Sequence, residues 1–504
     1  MGHVATTIWI ICYFAVLIGL AGYGIHRYTM IYLYWKNRRK KPQPLGHFED
    51  LPMVTVQLPI FNELHVVRRL IKAVANLDYP KSCLQIQILD DSIDETKEIC
   101  EEEYKRLLDS GFDVELIHRE DRVGYKAGAL ENGMESAKGE YIYILDADFV
   151  PDSDVLHKMI HFFTDDRVGM VQTRWGHINK SYSILTRVQA LFLDGHHAVE
   201  QTARSRSGRF FNFNGTAGIL RKSAIIDAGG WQHDTICEDL DLSYRAQMKR
   251  WKFIYLVDVV TPAELPPNMD GFKTQQHRWT KGSIQTCIKV LGRVFKSDLP
   301  TIVKFEAFAH LTANFAYLLL ILLCVLVNPS MHPESGWVRT VFLDFPIFFA
   351  TTISVGLFYV TAQIAINPKP LNLIKEILHL PILLALGIGM SVNNGKAVLE
   401  AIFGNDSEFV RTPKYGIEKK DKKIIKSKYR ALKSIAPLFE LSFFGYFTYL
   451  VVNAWQNANW FTLPFLMLFQ VGFFLVAFGS IRSLLNDLFM NRQTAKDSDS
   501  ALVS

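Results

Sequence analysis

Residues 7–25 contain no charged side chain and are almost entirely apolar. A run of about 20 apolar residues is what an α-helix needs to cross the hydrocarbon core of a membrane. No Lys or Arg precedes the run and no clear small-residue cleavage site follows it, so a transmembrane helix is favoured. A secretory signal peptide stays the alternative. The rest of the chain must therefore be arranged relative to a bilayer.

A basic segment follows this run, directly after the aromatic stretch YTMIYLYW. Its basic residues are Lys36, Arg38, Arg39, Lys40 and Lys41. Aromatic residues favour the membrane interface, and basic residues favour the cytosolic side. We therefore expect the N-terminus to face outward and the following domain to lie in the cytosol.

Apolar runs return in the C-terminal part of the chain. Those long enough to span a bilayer are 306–328, 340–366, 436–455 and 460–481. Residues 377–403 begin apolar but continue with Asn393, Asn394 and Lys396, which predicts an interfacial or re-entrant helix. The Lys-rich loop that follows is expected in the cytosol, which predicts five spans and a cytosolic C-terminus. The predicted division of the chain has four parts: an N-terminal helix with its basic segment (1–49), a polar domain (50–300), a membrane region (301–481) and a cytosolic tail (482–504). The membrane region contains the interfacial helix 377–403 and a cytosolic loop, 404–435.

Composition excludes several other classes of protein. The formal net charge is only +5 over 504 residues, which disfavours a protein that coats nucleic acid. The six cysteines form no CxxC pair, so neither a structural zinc site nor a disulfide framework is expected. The polar domain between apolar runs also argues against a pure transport bundle.

The polar domain alternates short apolar strands with amphipathic helices. The predicted strands are 54–58, 85–89, 114–118 and 141–145. Strands that alternate with helices predict an α/β domain with a mostly parallel, doubly wound sheet. Such sheets bind ligands beyond the carboxyl ends of their strands, so polar residues just after each strand are candidates for chemistry.

Carboxylates occupy two of these positions. Asp90 and Asp91 follow the second strand, and Asp146 and Asp148 follow the fourth. Two carboxylates at a strand end can hold Mg²⁺ or Mn²⁺ while leaving ligand positions for diphosphate oxygens. An acidic turn without a metal is the alternative interpretation.

Two further patterns suit sugar chemistry. Glu238 and Asp239 precede a helical pattern, where a carboxylate could act as a general base or simply cap the helix. Gln275, Arg278 and Trp279 would share one face of a helix and offer an amide, a phosphate-binding guanidinium and a stacking surface. A tryptophan and an arginine at a membrane interface would be the alternative.

Together these motifs resemble those of the membrane-embedded family 2 glycosyltransferases, in order and in approximate spacing. The matching segments are PIFNE (59–63), DDS (90–92), KAG (126–128), DAD (146–148), FNFNGT (211–216), CEDLDL (237–242) and QQHRW (275–279). The set is similar to that of cellulose, hyaluronan and chitin synthases. FNFNGTAGILR and QQHRW most resemble the cellulose-synthase-like mannan and glucan backbone synthases of plants.

The resemblance implies a GT-A-like (Rossmann-like) domain beside an all-α transmembrane region, and it implies a role for each matching residue. Asp239 would be the catalytic base, and Asp146 and Asp148 would bind Mg²⁺ or Mn²⁺. The implied donor-binding residues are Glu63, Asp90, Asp91, Lys126, Asp146, Asp148 and Arg278. The implied acceptor-binding residues are Phe213, Asn214, Gly215, Thr216, Glu238, Gln275 and Trp279.

Residues 408–414 resemble the FxVTxK-like gating loop that closes over the donor in cellulose synthase. The gating residues would be Phe409, Arg411, Thr412 and Lys414, with Arg411 in place of the usual Val.

The resemblance favours an inverting, processive synthase that polymerises a β-linked glucan or mannan from a UDP-glucose or GDP-mannose type donor and moves the growing glycan across the membrane. A glycolipid synthase acting on ceramide, diacylglycerol or a polyprenyl carrier is the alternative, because it would use the same cytosolic motifs. A transporter or receptor is disfavoured by the intact carboxylates. We expect an integral multi-pass membrane protein of a bacterial plasma membrane or a eukaryotic Golgi or plasma membrane, with the catalytic domain in the cytosol. No nucleic-acid partner is expected.

Overall fold

Seven strands form one mixed sheet in the polar domain of the computed structural model, which describes residues 3–327, 347, 349–367, 369–404, 411–418, 435–460 and 462–502. The strands are β1 (Val54–Ile60), β2 (Leu84–Asp90), β3 (Asp113–His118), β4 (Tyr141–Ile144), β5 (Val168–His177), β6 (Gly218–Arg221) and β7 (Lys252–Ala263). Their order is β3-β2-β1-β4-β6-β5-β7. Only β6 runs antiparallel to its neighbours, so the predicted mostly parallel sheet is confirmed.

Helices cover both faces of this sheet. Those of the polar domain are α2 (Val67–Ala75), α3 (Thr96–Asp109), α4 (Tyr125–Ser136), α5 (Val155–Ile160), α6 (Ile184–Asp194), α7 (Gln201–Arg206), α8 (Lys222–Asp227) and α9 (Glu238–Met248). Alternation along β4 divides its side chains between two cores. Tyr141 and Tyr143 pack in the cluster that contains Val56, whereas Ile142 and Ile144 pack in the cluster that contains Leu130. Burial on both faces explains why β4, with the sequence YIYI, is a continuous apolar run.

The remaining helices lie before and after this domain. They are α1 (His3–Asn37), α10 (Met269–Lys296), α11 (Thr301–Thr312), α12 (Phe315–Leu326), α13 (Ser354–Ile366), α14 (Pro370–Ile377), α15 (Leu380–Gly389), α16 (Ser391–Ile402), α17 (Ala436–Gln456) and α18 (Leu463–Leu502). Shorter 3₁₀ or π-helical segments occur at Lys81–Cys83, His161–Thr164, Gly195–Glu200 and Phe349–Ile353.

Four helical stretches in the described parts of the chain are long and apolar enough to cross a membrane. They are Thr7–Asn37, Phe349–Ile366, Pro370–Gly389 and Leu463–Ser483. The pair α11 and α12, bent by 55°, would make a fifth if it is one broken span. Pro370–Gly389 overlaps the predicted interfacial segment, and α17 forms at the predicted span 436–455 without meeting the same criteria. The number of spans and their orientation stay predictions.

Two glycines allow α15 and α18 to approach at backbone distance. A Cβ atom added to Gly389 would lie 2.2 Å from the carbonyl oxygen of Gly472, and one added to Gly472 would lie 2.2 Å from that of Ala385. Small residues permit this kind of close helix packing in membranes.

We expect Gly389→Ala to lower the thermal stability of the detergent-purified protein, since overpacking of this kind costs about 1–3 kcal/mol. Gly387→Ala on the same helix is the matched control, because an added Cβ there meets no atom within 4 Å. Thermal unfolding followed by size-exclusion chromatography measures both variants. Equal stability of the two variants would contradict the glycine contact.

Candidate active site

A cleft of about 180 Å³ lies beyond the carboxyl ends of β1, β2 and β4, at the edge where the sheet was predicted to bind ligands. The residues of the predicted site that line it are Glu63, Asp91, Lys126, Asp146, Asp148, Asn214, Gly215, Glu238, Asp239, Gln275, Arg278, Trp279, Arg411, Thr412 and Lys414. Segments far apart in the sequence therefore meet at one place.

Three other residues of the predicted site lie beneath the cleft. Asp90 is buried and accepts hydrogen bonds from the His118 ring and from the backbone of Ser92. Phe213 is fully buried in the core that contains Leu130. Thr216 is also buried, and its Oγ1 accepts the backbone N–H of Asp146 at 2.8 Å. Phe409 lies outside the described residues.

The loops after β1 and β2 are tied together at one end of the cleft. Asn62 adopts a φ of 55°, a left-handed conformation that Asn tolerates better than most residues. Its Oδ1 accepts the backbone N–H of Ile93 at 2.9 Å. Beside it, the Arg119 guanidinium donates to both oxygens of Asp91, at 2.8 and 2.5 Å. Asp91 is thus held rigidly at the cleft wall.

Glu63 is paired with Arg411 across the cleft. Glu63 Oε2 lies 2.5 Å from Arg411 Nη1. Burial raises the pKa of Glu63 to about 7, although Arg411 and Lys414 favour its charged form. The arginine that departs from the gating motif therefore has a definite place, on a carboxylate of the predicted donor site.

The two aspartates after β4 are each paired with a lysine. Lys126 Nζ donates to Asp146 Oδ1 at 2.5 Å, and Lys414 Nζ donates to Asp148 Oδ2 at 2.7 Å. Among the described residues, no group of three or more His, Cys, Asp or Glu side chains could hold a metal by itself. Two carboxylates nevertheless fit Mg²⁺ or Mn²⁺, because such ions commonly take their other ligands from water and phosphate oxygens.

Lys126 joins the two sides of the cleft. It also donates to the backbone oxygen of Gly215 at 2.8 Å. Burial opposes its charge, but the carboxylates of Asp146, Glu238 and Asp239 outweigh burial and raise its pKa. Lys126 therefore remains a cation among carboxylates.

Glu238 and Asp239 begin α9 and face this lysine. Burial and the adjacent Glu238 raise the pKa of Asp239 to about 7, in opposition to Lys126. Gly215 has a φ of +79°, and a Cβ atom added to it would lie 2.9 Å from Asp239 Oδ2. Asp239 is thus a carboxylate that can accept a proton near neutral pH, directly above a backbone floor.

An aromatic wall closes the other end of the cleft. Gln275, Arg278 and Trp279 of α10 line the cleft together, in agreement with their predicted spacing. Trp279 lies 6.3 Å from Trp175 between ring centroids, and Trp175 packs against Phe149 at 5.2 Å. Trp175 was not identified from the sequence because the strand that ends beside it, β5, was not predicted.

Glu264 was also missed, although it organises the segment 411–418. Its two carboxylate oxygens accept the backbone N–H groups of Tyr415 and Ile417, at 2.9 and 3.2 Å. The backbone N–H of Glu264 in turn donates to Asp148 Oδ2 at 3.2 Å. This arrangement places Lys414 and Arg411 over the carboxylates of the cleft, and no local sequence pattern indicates it.

Comparison with known proteins supports the resemblance that the motifs suggested. A family model described as glycosyl transferase family group 2 matches residues 141–366. Glucomannan 4-beta-mannosyltransferase 7 from Arabidopsis thaliana is 31% identical over 478 residues, which cover 90% of this chain and 83% of that protein. The chain belongs to glycosyltransferase family 2.

Other relatives of this family 2 glycosyltransferase align over less of their length. Glucomannan 4-beta-mannosyltransferase 2 from Arabidopsis thaliana is 41% identical over 281 residues, which span 53% of each protein and thus only about half of that relative. Among solved structures, a mannosyltransferase from Pyrobaculum calidifontis in complex with GDP-Man and Mn²⁺ has a TM-score of 0.50 and 20% identity, covering 70% of this chain and 99% of that one. That likeness concerns the fold, and it confirms the predicted GT-A-like domain.

The pKa of Asp239 generates a prediction about pH. If Asp239 must be deprotonated to act, sugar transfer should rise as the pH increases through about 7. Glu238→Gln removes a neighbouring negative charge that raises the pKa of Asp239. The rise of the transfer rate with pH should therefore occur about one pH unit lower in this variant. Transfer rates of both proteins as a function of pH measure the shift.

Asp258→Asn is the control for that experiment, because Asp258 is exposed and pairs with Lys41 outside the cleft. Its pH profile should match that of the wild type. An unchanged pH dependence in Glu238→Gln would contradict the coupling of the two carboxylates.

Proposed function

We propose that this family 2 glycosyltransferase is an inverting membrane enzyme that polymerises a β-linked polysaccharide of the β-1,4-mannan or glucan type. One observation carries the proposal: a single cleft holds a carboxylate with a pKa of about 7 (Asp239), a pair of aspartates suited to a metal–diphosphate, and a tryptophan suited to stacking on a sugar. The names of its relatives, glucomannan 4-beta-mannosyltransferases, support the nature of the polymer.

A nucleotide sugar of the GDP-mannose type is the proposed donor. The names of the relatives favour mannose, and the fold neighbour was solved with GDP-Man and Mn²⁺. Glu63 and Asp91 would contact the nucleoside, and Arg411 and Thr412 would meet it from the opposite wall. Asp146 and Asp148 would hold Mg²⁺ or Mn²⁺, which when bound neutralises charge on the diphosphate.

Direct displacement at the anomeric carbon of the donor sugar gives each of the remaining residues a role. Asp239 would take the proton from the acceptor hydroxyl, which then attacks from the face opposite the leaving diphosphate, so the configuration inverts. Arg278 would stabilise the charge that develops on the departing nucleotide. Trp279 and Gln275 would hold the acceptor sugar in line. The chemistry requires one base, and Asp239, at the start of α9 and lining the cleft, is the proposed one.

The segment 411–418 is the proposed gate over the donor. Lys414 lies on Asp148 and Arg411 lies on Glu63, so both cations contact residues of the proposed donor site. A bound diphosphate would offer these cations further anionic partners. We infer that donor binding strengthens the closure of this segment.

The membrane helices would carry the polymer away from the catalytic side. The basic residues after α1 support a cytosolic catalytic domain, and α10, whose Trp279 lines the cleft, contacts α11 and α18. The proposed organisation is therefore a cytosolic domain from about residue 50 to 300 beside a multi-pass membrane region that exports the glycan.

Purified enzyme in nanodiscs, supplied with a panel of nucleotide sugars and Mn²⁺ or Mg²⁺, tests the proposed function. We expect GDP-mannose to yield a long polymer without lipid, measured by size-exclusion chromatography and digestion with a β-1,4-mannanase. Asp239→Asn, prepared in the same way, is the control and should yield none. A short product extractable in organic solvent would overturn the polymer synthase and identify a glycolipid synthase.

A further inference from the structure

A π-helical segment, Gly195–Glu200, lies between α6 and α7 and brings His196 and Glu200 behind the floor of the cleft. Such segments are rare and are found frequently at functional sites. Gly195 lets the segment pack tightly, because an added Cβ would lie 2.6 Å from the ring of Phe358 on α13. The segment is thus packed closely against the apolar helix α13.

Glu200 is the centre of a set of ionic contacts that includes α1. Arg27 of α1 donates to Glu200 Oε1. Glu200 Oε2 lies 3.5 Å from Arg204 Nη1 and 2.9 Å from His196 Nδ1. A carboxylate with partners on both oxygens is held in one orientation, and it orients the imidazole ring of His196 in turn.

The other ring nitrogen of His196 reaches the floor of the cleft. His196 Nε2 lies 3.3 Å from Asn214 Oδ1. The same oxygen accepts from Asn212 Nδ2 at 2.8 Å and from Gln201 Nε2 at 3.1 Å. Both ring nitrogens of His196 therefore face oxygen acceptors, and the ring bridges Glu200 to Asn214.

The amides of Asn212 and Gln201 both donate to Asn214 Oδ1, which fixes the orientation of the Asn214 amide. Turning the amide over would place its NH₂ group against these two N–H groups, which is unfavourable. A His196 ring protonated at Nε2 adds a third donor to the same oxygen. Asn214 Nδ2 is buried and has no hydrogen-bond partner among the residues that the structure describes. Asn214 lines the cleft next to Gly215, where an added Cβ atom would lie 2.9 Å from Asp239 Oδ2. A buried donor without a partner in a sugar-binding cleft is suited to a hydroxyl oxygen.

We propose that His196 is a positioning residue that fixes the Asn214 amide, so that Nδ2 donates to a hydroxyl of the acceptor sugar. Through Glu200 and Arg27, His196 also connects the floor of the cleft to helix α1. The inference rests on the proposed function and adds the origin of acceptor alignment to it. Donor binding is handled by other residues, so the bridge should affect the acceptor alone.

Full-length enzyme with GDP-mannose and β-1,4-mannohexaose tests this assignment. Asn214→Asp keeps the oxygen that receives these donors, exchanges the NH₂ group for an oxygen that cannot donate when ionised, and adds one negative charge. We expect it to raise the KM for mannohexaose about tenfold, as for one lost hydrogen bond, while the KM for GDP-mannose stays within about twofold.

His196→Ala should raise the acceptor KM in the same way, and His196→Gln, whose amide can still donate to Asn214, should restore part of the loss. In an Asn214→Ala background, His196→Ala should have no further effect. His161→Ala is the matched control, because His161 accepts a backbone hydrogen bond from Phe48 away from the cleft. It should leave both KM values unchanged.

Two results would overturn the positioning role. One is a wild-type acceptor KM in Asn214→Asp, which decides the matter even if His196→Ala does not fold. The other is an equal rise of the donor and acceptor KM values in both variants, which would indicate general structural damage. A wild-type enzyme that makes no polymer from any nucleotide sugar would instead overturn the proposed function, so the two failures are distinguishable.

Discussion

The crowding of carboxylates in one buried cleft is the constraint on which the rest of this structure depends. Glu63, Asp146, Asp148, Glu238 and Asp239 all line it. Unpaired charges in a buried site are costly, so cations must be brought there from elsewhere in the chain. They come from Lys126 at the start of α4 and from Arg411 and Lys414, in a segment between α16 and α17 of the membrane region. The catalytic domain and the membrane region are therefore joined at the active site itself.

In the proposed mechanism, the distribution of these cations separates the residues that bind the metal and diphosphate from the residue that accepts a proton. The aspartates after β4 are each in direct contact with a lysine. In the proposed mechanism, a metal ion would take the place of these lysines on the aspartates, and the lysines would contact the diphosphate. Asp239 has no such direct ion pair among the described residues, and burial beside Glu238 raises its pKa to about 7. Carboxylates in different surroundings can thus take different roles, one set binding a charged leaving group and one accepting a proton.

Local sequence patterns predicted the part of the fold that depends on local chemistry. Of the four strands that were identified, β1, β2 and β4 are largely buried, and the acidic residues after β2 and β4 stand at the strand ends where parallel sheets bind ligands. The strands β5, β6 and β7 were not predicted, and β6 follows a motif interpreted as an acceptor loop. Periodicity also could not separate an interfacial helix from a spanning one at 370–389, because both are apolar.

The contacts that complete the site could not be predicted, because they join residues far apart in the chain. Examples are the pairing of Arg411 with Glu63, the hold of Glu264 on Tyr415, and the bridge from Arg27 to Asn214 through Glu200. The motif at 408–414 predicted a gate, but the carboxylates that pair with it, Glu63 and Asp148, could be identified only from the tertiary structure.

Electron paramagnetic resonance of Mn²⁺ in the presence of GDP tests the proposed division of roles between the two sets of carboxylates. We expect wild type and Asp239→Asn to bind Mn²⁺ equally in the presence of GDP, and we expect Asp148→Asn not to bind it. Loss of Mn²⁺ in Asp239→Asn with retention in Asp148→Asn would contradict it.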